Sequence, residues 1–185
     1  MRITKKHDVR LNEIVDAAEM LFTSKGYETT TVNDILEKVQ IGKGTFYHYF
    51  KSKEDVMDAV INRMVEGIVK CANAIADDSA LTVNEKMRDA ILSMNISDGV
   101  GKVVIEELHK PSNAQMHQTS ITRTIQAVAP ILAGIVAHGV QEGVYKTPYP
   151  LETVEFLLVA NQFIFDSGIF RWSDEEMVAR ALAFV

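Results

Sequence analysis

Lys43, Thr45, Tyr47 and His48 fall within six consecutive residues, and each carries a group that can reach a nucleic acid. A lysine ammonium reaches phosphate or guanine, a threonine offers a hydroxyl and a methyl, and tyrosine and histidine contact phosphates and base edges. Gly42 and Gly44 stand beside them, where a missing side chain lets the backbone approach a ligand closely and aim N–H groups at phosphate. Phe46 and Phe50 recur at helical spacing among these residues, so a short helix here has an apolar inner face and a polar outer one. Tyr47 is turned away from both phenylalanines by that phase. The chemistry on offer is the reading of a DNA edge.

Such residues need a scaffold that holds them at one angle. Thr31 with Asp34 three residues on forms a helix start, and Val32, Ile35, Leu36 and Val39 follow at helical spacing. A tight turn over Val39–Gly42 leads into a third short helix over about Lys43–Tyr49, which is helix-turn-helix geometry. Val32, Ile35, Leu36, Ile41, Phe46 and Phe50 make its inner face. Upstream, Leu11, Ile14, Val15, Ala18, Leu21 and Phe22 mark a first helix, which Gly26 stops and over which Tyr27 packs back. Downstream, Ser52 caps a long helix through about Ala76, with Glu54 and Asp55 in its first turn, where the helix dipole favours acids.

The net charge of −6 argues against nucleic acid until its distribution is considered. Residues 1–53 carry +2 and the remainder −8, and four lysines with no acid lie between Lys38 and Lys53. A basic head on an acidic body suits one local phosphate-facing surface. The single cysteine, Cys71, forbids an intrachain disulfide, fits a reduced cytoplasmic setting, and on its helical stripe reads as a packing residue. Met1–His7 lacks the apolar core of a signal peptide, and the apolar run Ala127–Ala137, interrupted by Pro130, is shorter than the roughly 18 residues of a membrane span. A soluble protein without a membrane partner is the expectation.

The body also reads as helical. Thr82-x-x-Glu85, Ser112-x-x-Gln115 and Ser173-x-x-Glu176 have capping-box form. Helices are expected around Val100–His109, from Ser112 to about Gln141 with a bend at Pro130, over about Pro150–Phe170, and over Asp174–Val185. The chain stops on Ala183-Phe184-Val185 inside a helical pattern, as if further residues followed. No strand alternation is expected, so the fold class is all-α. Phe156, Leu157, Val159, Ala160, Phe163, Ile164 and Phe170 give the Pro150–Phe170 helix more apolar circumference than one core face absorbs. A second copy related by a two-fold axis would cover it, making the last two helices a homodimer interface.

From Ile14 to Val56 the order and spacing of Asp16-Ala17-Ala18, Leu21-Phe22, Lys25-Gly26-Tyr27, Thr29-Thr30-Thr31-Val32, Asp34-Ile35, Lys43-Gly44-Thr45-Phe46-Tyr47-His48-Tyr49-Phe50 and Lys51-Ser52-Lys53-Glu54 resemble the DNA-binding module of the TetR/AcrR family of transcriptional repressors. Gln141-Glu142-Gly143-Val144-Tyr145 is a weaker echo of the stretch that precedes the family's dimerising helices. Two positions depart from the family pattern: Val39-Gln40 replaces Ala-Gly in the turn, and Gly42 replaces the usual Ser or Thr cap. The resemblance implies that Lys43, Gly44, Thr45, Tyr47 and His48 face double-stranded DNA and that Thr29, Thr30 and Lys51 touch phosphate. It also implies a small-molecule effector bound in the body, where Met64, Met87, Met94, Met116 and Phe163 are the adaptable apolar side chains at hand. The expected organisation is a three-helix DNA-binding head, residues 1–52, on an effector-binding and dimerisation body, residues 53–185.

Catalysis and metal binding find no support in the pattern. Gly99-Val100-Gly101-Lys102 fails as a phosphate loop because Ile96 stands where its first glycine belongs and Val103 where Ser or Thr belongs. Glu106-x-x-His109 has no second copy, and His138 with Glu142 is an ordinary solvated i,i+4 pair. No nucleophile elbow occurs, so neither an enzyme nor a cofactor is expected. The alternative function is a helical protein-interaction module whose helix-turn-helix no longer binds DNA. An acidic or apolar outer face over Lys43–His48 would mark that case, and the face is neither.

Overall fold

The protein was analysed as a computed structural model, which describes residues 7–94, 99–165 and 170–184. The described elements are helices α1 (His7–Lys25), α2 (Val32–Val39), α3 (Lys43–Tyr49), α4 (Lys53–Asp77), α5 (Val83–Ser93), α6 (Gly99–Leu108), a 3-10 turn at Pro111–Asn113, α7 (Ala114–Gln141), α8 (Pro150–Ile164) and α9 (Asp174–Phe184). No strand occurs among the described residues, and the all-α class read from the periodicity is the class observed. Ile96, on which the phosphate-loop reading failed, lies outside the described residues, as do Val185 and positions 166–169 of the expected Pro150–Phe170 helix.

Two compact units divide the chain: residues 1–64 with 96–117, and residues 65–95 with 118–185. In the first, Ile14, Ala18, Phe22, Ile35 and Phe46 are fully buried together with Val56, Met57 and Val60 of α4, and Val104 and Leu108 of α6 join the same cluster. The head read from sequence ended at residue 52. The compact unit is larger because these α4 and α6 side chains complete its core. Arg63 fixes α4 on α1 through ion pairs to Asp16 and, at 3.3 Å, to Glu19, and donates to Asn12 Oδ1 at 3.0 Å. Burial raises the Glu19 carboxyl above its ordinary value, with the Arg63 charge opposing.

In the second unit α5 opens with the expected capping box. Glu85 N donates to Thr82 Oγ1 at 3.3 Å and the Glu85 carboxylate accepts from Thr82 N at 2.9 Å. α7 runs through Pro130 and buries Val128, Leu132, Ile135 and Val136. By length and composition the helical stretch Pro111–Gln141 is apolar enough to cross a membrane, which the interrupted run Ala127–Ala137 did not suggest, but a buried core helix passes the same test. After Gly143, at φ +76, the chain folds back so that the Tyr145 ring rests on Gly139; a Cβ there would stand 2.3 Å from Tyr145 Cδ2. Tyr145 Oη donates to Asn84 Oδ1 at 2.7 Å, tying the end of α7 to the start of α5.

Two sequence expectations change. Ser112 is not a helix cap: Pro111–Asn113 forms the 3-10 turn, and Asn113 Nδ2 donates to Glu107 O and Oε1, both at 2.9 Å, so α7 begins at Ala114. Cys71 is exposed on α4 and is not a core packing residue. Phe163 is 57% exposed on α8. Phe156, Leu157, Val159 and Ile164 are exposed on the same helix, while Val154 and Leu158 alone are buried. Trp172 Nε1 donates to Ile164 O at 2.8 Å and its ring stacks on Phe170, covering only the C-terminal end of α8.

Candidate nucleic-acid interface

The site is built from two turns and a short helix. Gly26 closes α1 at φ +85 with its N–H donating to Phe22 O at 3.0 Å, a backbone conformation that side chains rarely adopt. Tyr27 is then buried edge-on to Phe22, 5.1 Å between ring centroids. Lys53 Nζ sits 4.1 Å over the Tyr27 ring and donates to Tyr27 O at 2.8 Å, which pins the start of α4 to this turn. One of the four lysines in the acid-free stretch is thereby engaged inside the head.

α2 begins with a reciprocal cap. Asp34 N donates to Thr31 Oγ1 at 3.2 Å, and Asp34 Oδ2 accepts from Thr31 N at 2.7 Å. The same carboxylate receives Lys25 Nζ at 2.7 Å. The Lys25 hydrogen bond and then those from Thr31 hold the Asp34 carboxyl well below its ordinary value. α2 ends at Gln40, φ 55 and ψ 49, whose N–H donates to Glu37 O at 3.2 Å while Ile41 N donates to Leu36 O at 3.0 Å. Gln40 is the one non-glycine residue with positive φ among the described residues. That geometry turns the chain tightly enough for Phe46 to pack on Ile35 and Leu36 inside the common core.

α3 starts at Gly42 with no side-chain cap, and Thr45 N donates to Gly42 O at 2.9 Å. Phe46 and Phe50 are buried, whereas Lys43, Gly44, Tyr47 and His48 are exposed and Thr45 is half-buried. These five residues therefore stand on the outward side of α3, as their helical phase required. An added Cβ at Gly42 or Gly44 meets nothing within 4 Å, and neither φ is positive, so nothing inside the chain demands glycine there. Tyr49 is half-buried at the edge of the cluster. Its ring lies 4.7 Å from that of His7 and 5.1 Å from that of His48, and the two imidazoles are 6.1 Å apart.

The three residues expected at phosphate differ. Lys51 is exposed, and its backbone N–H donates to Asp55 Oδ2 at 2.8 Å, which fixes the α3–α4 turn beneath its ammonium. Thr29 is exposed, but its hydroxyl donates to Lys25 O and must swing away to donate to a phosphate, which only accepts. Thr30 is corrected. It is 1% exposed, its hydroxyl donates to Gly26 O at 2.7 Å, and its N–H donates to Gly26 O and Tyr27 O, both at 3.2 Å. It braces the α1–α2 turn and offers nothing to a phosphate.

The methionines expected to line an effector site do not fall in one unit. Met64 and Met116 pack against the first unit's core, while Met87 and Met94 are half-buried in the second. Sequence reasoning also missed a clasp on the α1–α2 turn. Lys110 Nζ donates to Glu107 Oε2 at 2.7 Å and to Glu28 Oε1 at 3.0 Å, so the end of α6 grips the α1–α2 turn. The Lys110 hydrogen bond lowers the Glu28 carboxyl, and the two carboxylates, Glu107 first, raise the Lys110 ammonium. No local pattern announces a bond across 82 residues of sequence.

A helix-turn-helix whose second helix turns lysine, threonine, tyrosine and histidine outward defines a DNA-binding module. Residues 14–60 match the model of bacterial regulatory proteins of the tetR family, and residues 95–185 match the tetracyclin repressor-like C-terminal domain. The chain is similar to the HTH-type transcriptional regulator YfiR of Bacillus subtilis, 25% identical over 180 residues that cover 95% of this chain and 87% of that one. It is 30% identical to the fatty acid metabolism regulator protein of the same organism over 142 residues, 72% of this chain and 70% of that one. A transcriptional regulator from Cytophaga hutchinsonii shares the fold at a TM-score of 0.68 and 21% identity, with 95% of this chain and 96% of that one covered. A TetR-family regulator from Syntrophomonas wolfei does so at 0.64 and 21%, covering 97% and 94%. The chain belongs to the TetR family of transcriptional regulators.

Proposed function

We propose that the protein is a repressor that binds a palindromic operator as a homodimer and leaves it when a small apolar effector occupies the body. The observation that carries the DNA-binding half is the split of α3, with Phe46 and Phe50 buried and Lys43, Tyr47 and His48 outward. That polar and cationic face fits a DNA groove and offers a protein partner no apolar anchor beyond Tyr47, which disfavours the interaction-module reading. Repression is supported by relatives named as such, among them the HTH-type transcriptional repressor KstR2 of Rhodococcus jostii, 25% identical over 147 residues. The exposed apolar side of α8 supports dimerisation, which would set two α3 helices in successive major grooves. An effector would release DNA by preferring the arrangement of heads that does not fit the operator, a shift of population needing no catalytic step. The half-buried Met87 and Met94 in the second unit support an apolar effector, and a relative named for fatty acid metabolism points the same way. Such a regulator works in the cytoplasm.

The test is a titration of genomic fragments retained by the purified protein, repeated across salt. With roughly 6–10 phosphates neutralised per dimer, affinity falls on the order of 10³-fold or more between 50 and 200 mM salt. Retention that ignores salt, or no retention at 50 mM, overturns the proposal.

A further inference from the structure

The family match begins at Ile14, so it assigns no role to the first two turns of α1. His7, the first residue of that helix, stands on the stripe that the head's core uses. Leu11, Ile14, Ala18 and Phe22 follow it along one helical face, and all four belong to that core or pack against it. At the level of His7 the same face meets the end of α3. The His7 ring lies 4.7 Å from the Tyr49 ring, tilted by 40°, and 6.1 Å from the His48 ring, edge-on at 78°. Tyr49 and His48 are themselves edge-on, 5.1 Å apart at 85°. The three rings make one cluster, in which Tyr49 is half-buried and His48 is exposed. α3 is seven residues long and His48 is its last but one, so no later turn of α3 packs over that imidazole. Its support comes from Tyr49 and from the start of α1.

We infer that His7 is a positioning residue for base reading: its ring, seated against Tyr49, holds the His48 imidazole in one orientation on the outward side of α3. The inference rests on the DNA-binding reading above. An exposed side chain that is loose in the free protein must be immobilised when it meets a base edge, which subtracts from affinity for the duplex it recognises. A ring already packed on two others has less freedom to lose. The effect is confined to the base pair that His48 meets, because phosphate contacts carry no sequence information directly. His7 acts through its neighbours and need not touch DNA.

The test compares the full chain with His7→Ala, His7→Phe, His48→Ala and the His7→Ala/His48→Ala double variant. For each, a duplex obtained by selection with the full chain competes in one tube against duplexes changed at single base pairs. The ratio of bound duplexes does not depend on how much protein is folded, so a merely structural role of His7 leaves it unchanged. His48→Ala is expected to flatten the preference at one position of each half-site. His7→Ala lowers the preference at that same position by about 2- to 10-fold and adds nothing once His48 is alanine. His7→Phe keeps a ring against Tyr49 and retains most of the preference. Unchanged ratios for His7→Ala or for His48→Ala overturn the inference while leaving the DNA-binding reading in place. So do an effect of His7→Ala at another position, one that persists in full without His48, and a His7→Phe no better than His7→Ala. A full chain that binds no duplex overturns both.

Discussion

Gln40 holds a backbone conformation, φ 55, that costs an L-residue about 1–2 kcal/mol. Replacing it with glycine relieves that strain and returns part of the gain to the more flexible unfolded chain. Gln40→Gly is expected to stabilise the protein by about 0.5–1 kcal/mol, read as a rise in denaturant midpoint at constant slope; a lower midpoint would place the constraint elsewhere. Thr45 and Lys51 divide the reading of bases from the holding of phosphate. Thr45→Ala is expected to alter base preference at one position of each half-site at a cost of about 1–3 kcal/mol. Lys51→Ala instead weakens all duplexes alike and shallows the salt slope by about 1 for each phosphate that the lysine had neutralised. Affinity profiles that change in the same way for both variants would remove the distinction. At this scale the sequence was informative wherever helical phase decided orientation, as for Tyr47 outward and Phe46 inward. It misplaced Thr30 because the fate of that hydroxyl depends on how the turn at Gly26 closes, not on residue type.

Neither Gly42, which precedes α3 as its N-cap, nor Gly44 within it is demanded by the fold. Gly44 lies within the helix with open space where a Cβ would stand. Gly44→Ala is therefore expected to stabilise the free protein by about 0.5–1 kcal/mol, while weakening DNA binding because the added methyl meets the phosphate backbone. Calorimetry of the free protein paired with binding isotherms checks both signs, and unchanged binding would mean that the backbone does not approach DNA there. Helix starts were legible when the cap could act locally, as at Thr31 with Asp34 and Thr82 with Glu85. Ser112 carried the same signature and failed because Asn113 is drawn to Glu107, a partner outside the pattern. The reach of the first unit to Met64 and into α6 was likewise hidden. Val56 and Val104 look like any helical apolar residue until long-range packing chooses what they cover.

In the second unit, α8 presents Phe156, 76% exposed, together with Leu157, Val159 and Ile164, and its only buried residues are Val154 and Leu158. Apolar surface of that extent calls for a partner, and a two-fold copy of the same helix is self-complementary by construction. An obligate interface on the order of 2,000 Å² would follow. Ala160→Glu/Ile164→Glu is expected to yield a folded monomer with weak operator binding, and light scattering that still reports a dimer would move the interface elsewhere. All-round hydrophobicity made this face legible in the sequence. That Met64 and Met116 pack against the core of the first unit was not legible, because long-range packing decides it. The central claim is that two copies of α3 read two half-sites. Selection from a pool of random duplexes tests it most directly. The account predicts an enriched inverted repeat with half-sites about one helical turn, roughly 34–36 Å, apart or a multiple of it; enrichment of a single unpaired site, or of none, would contradict it.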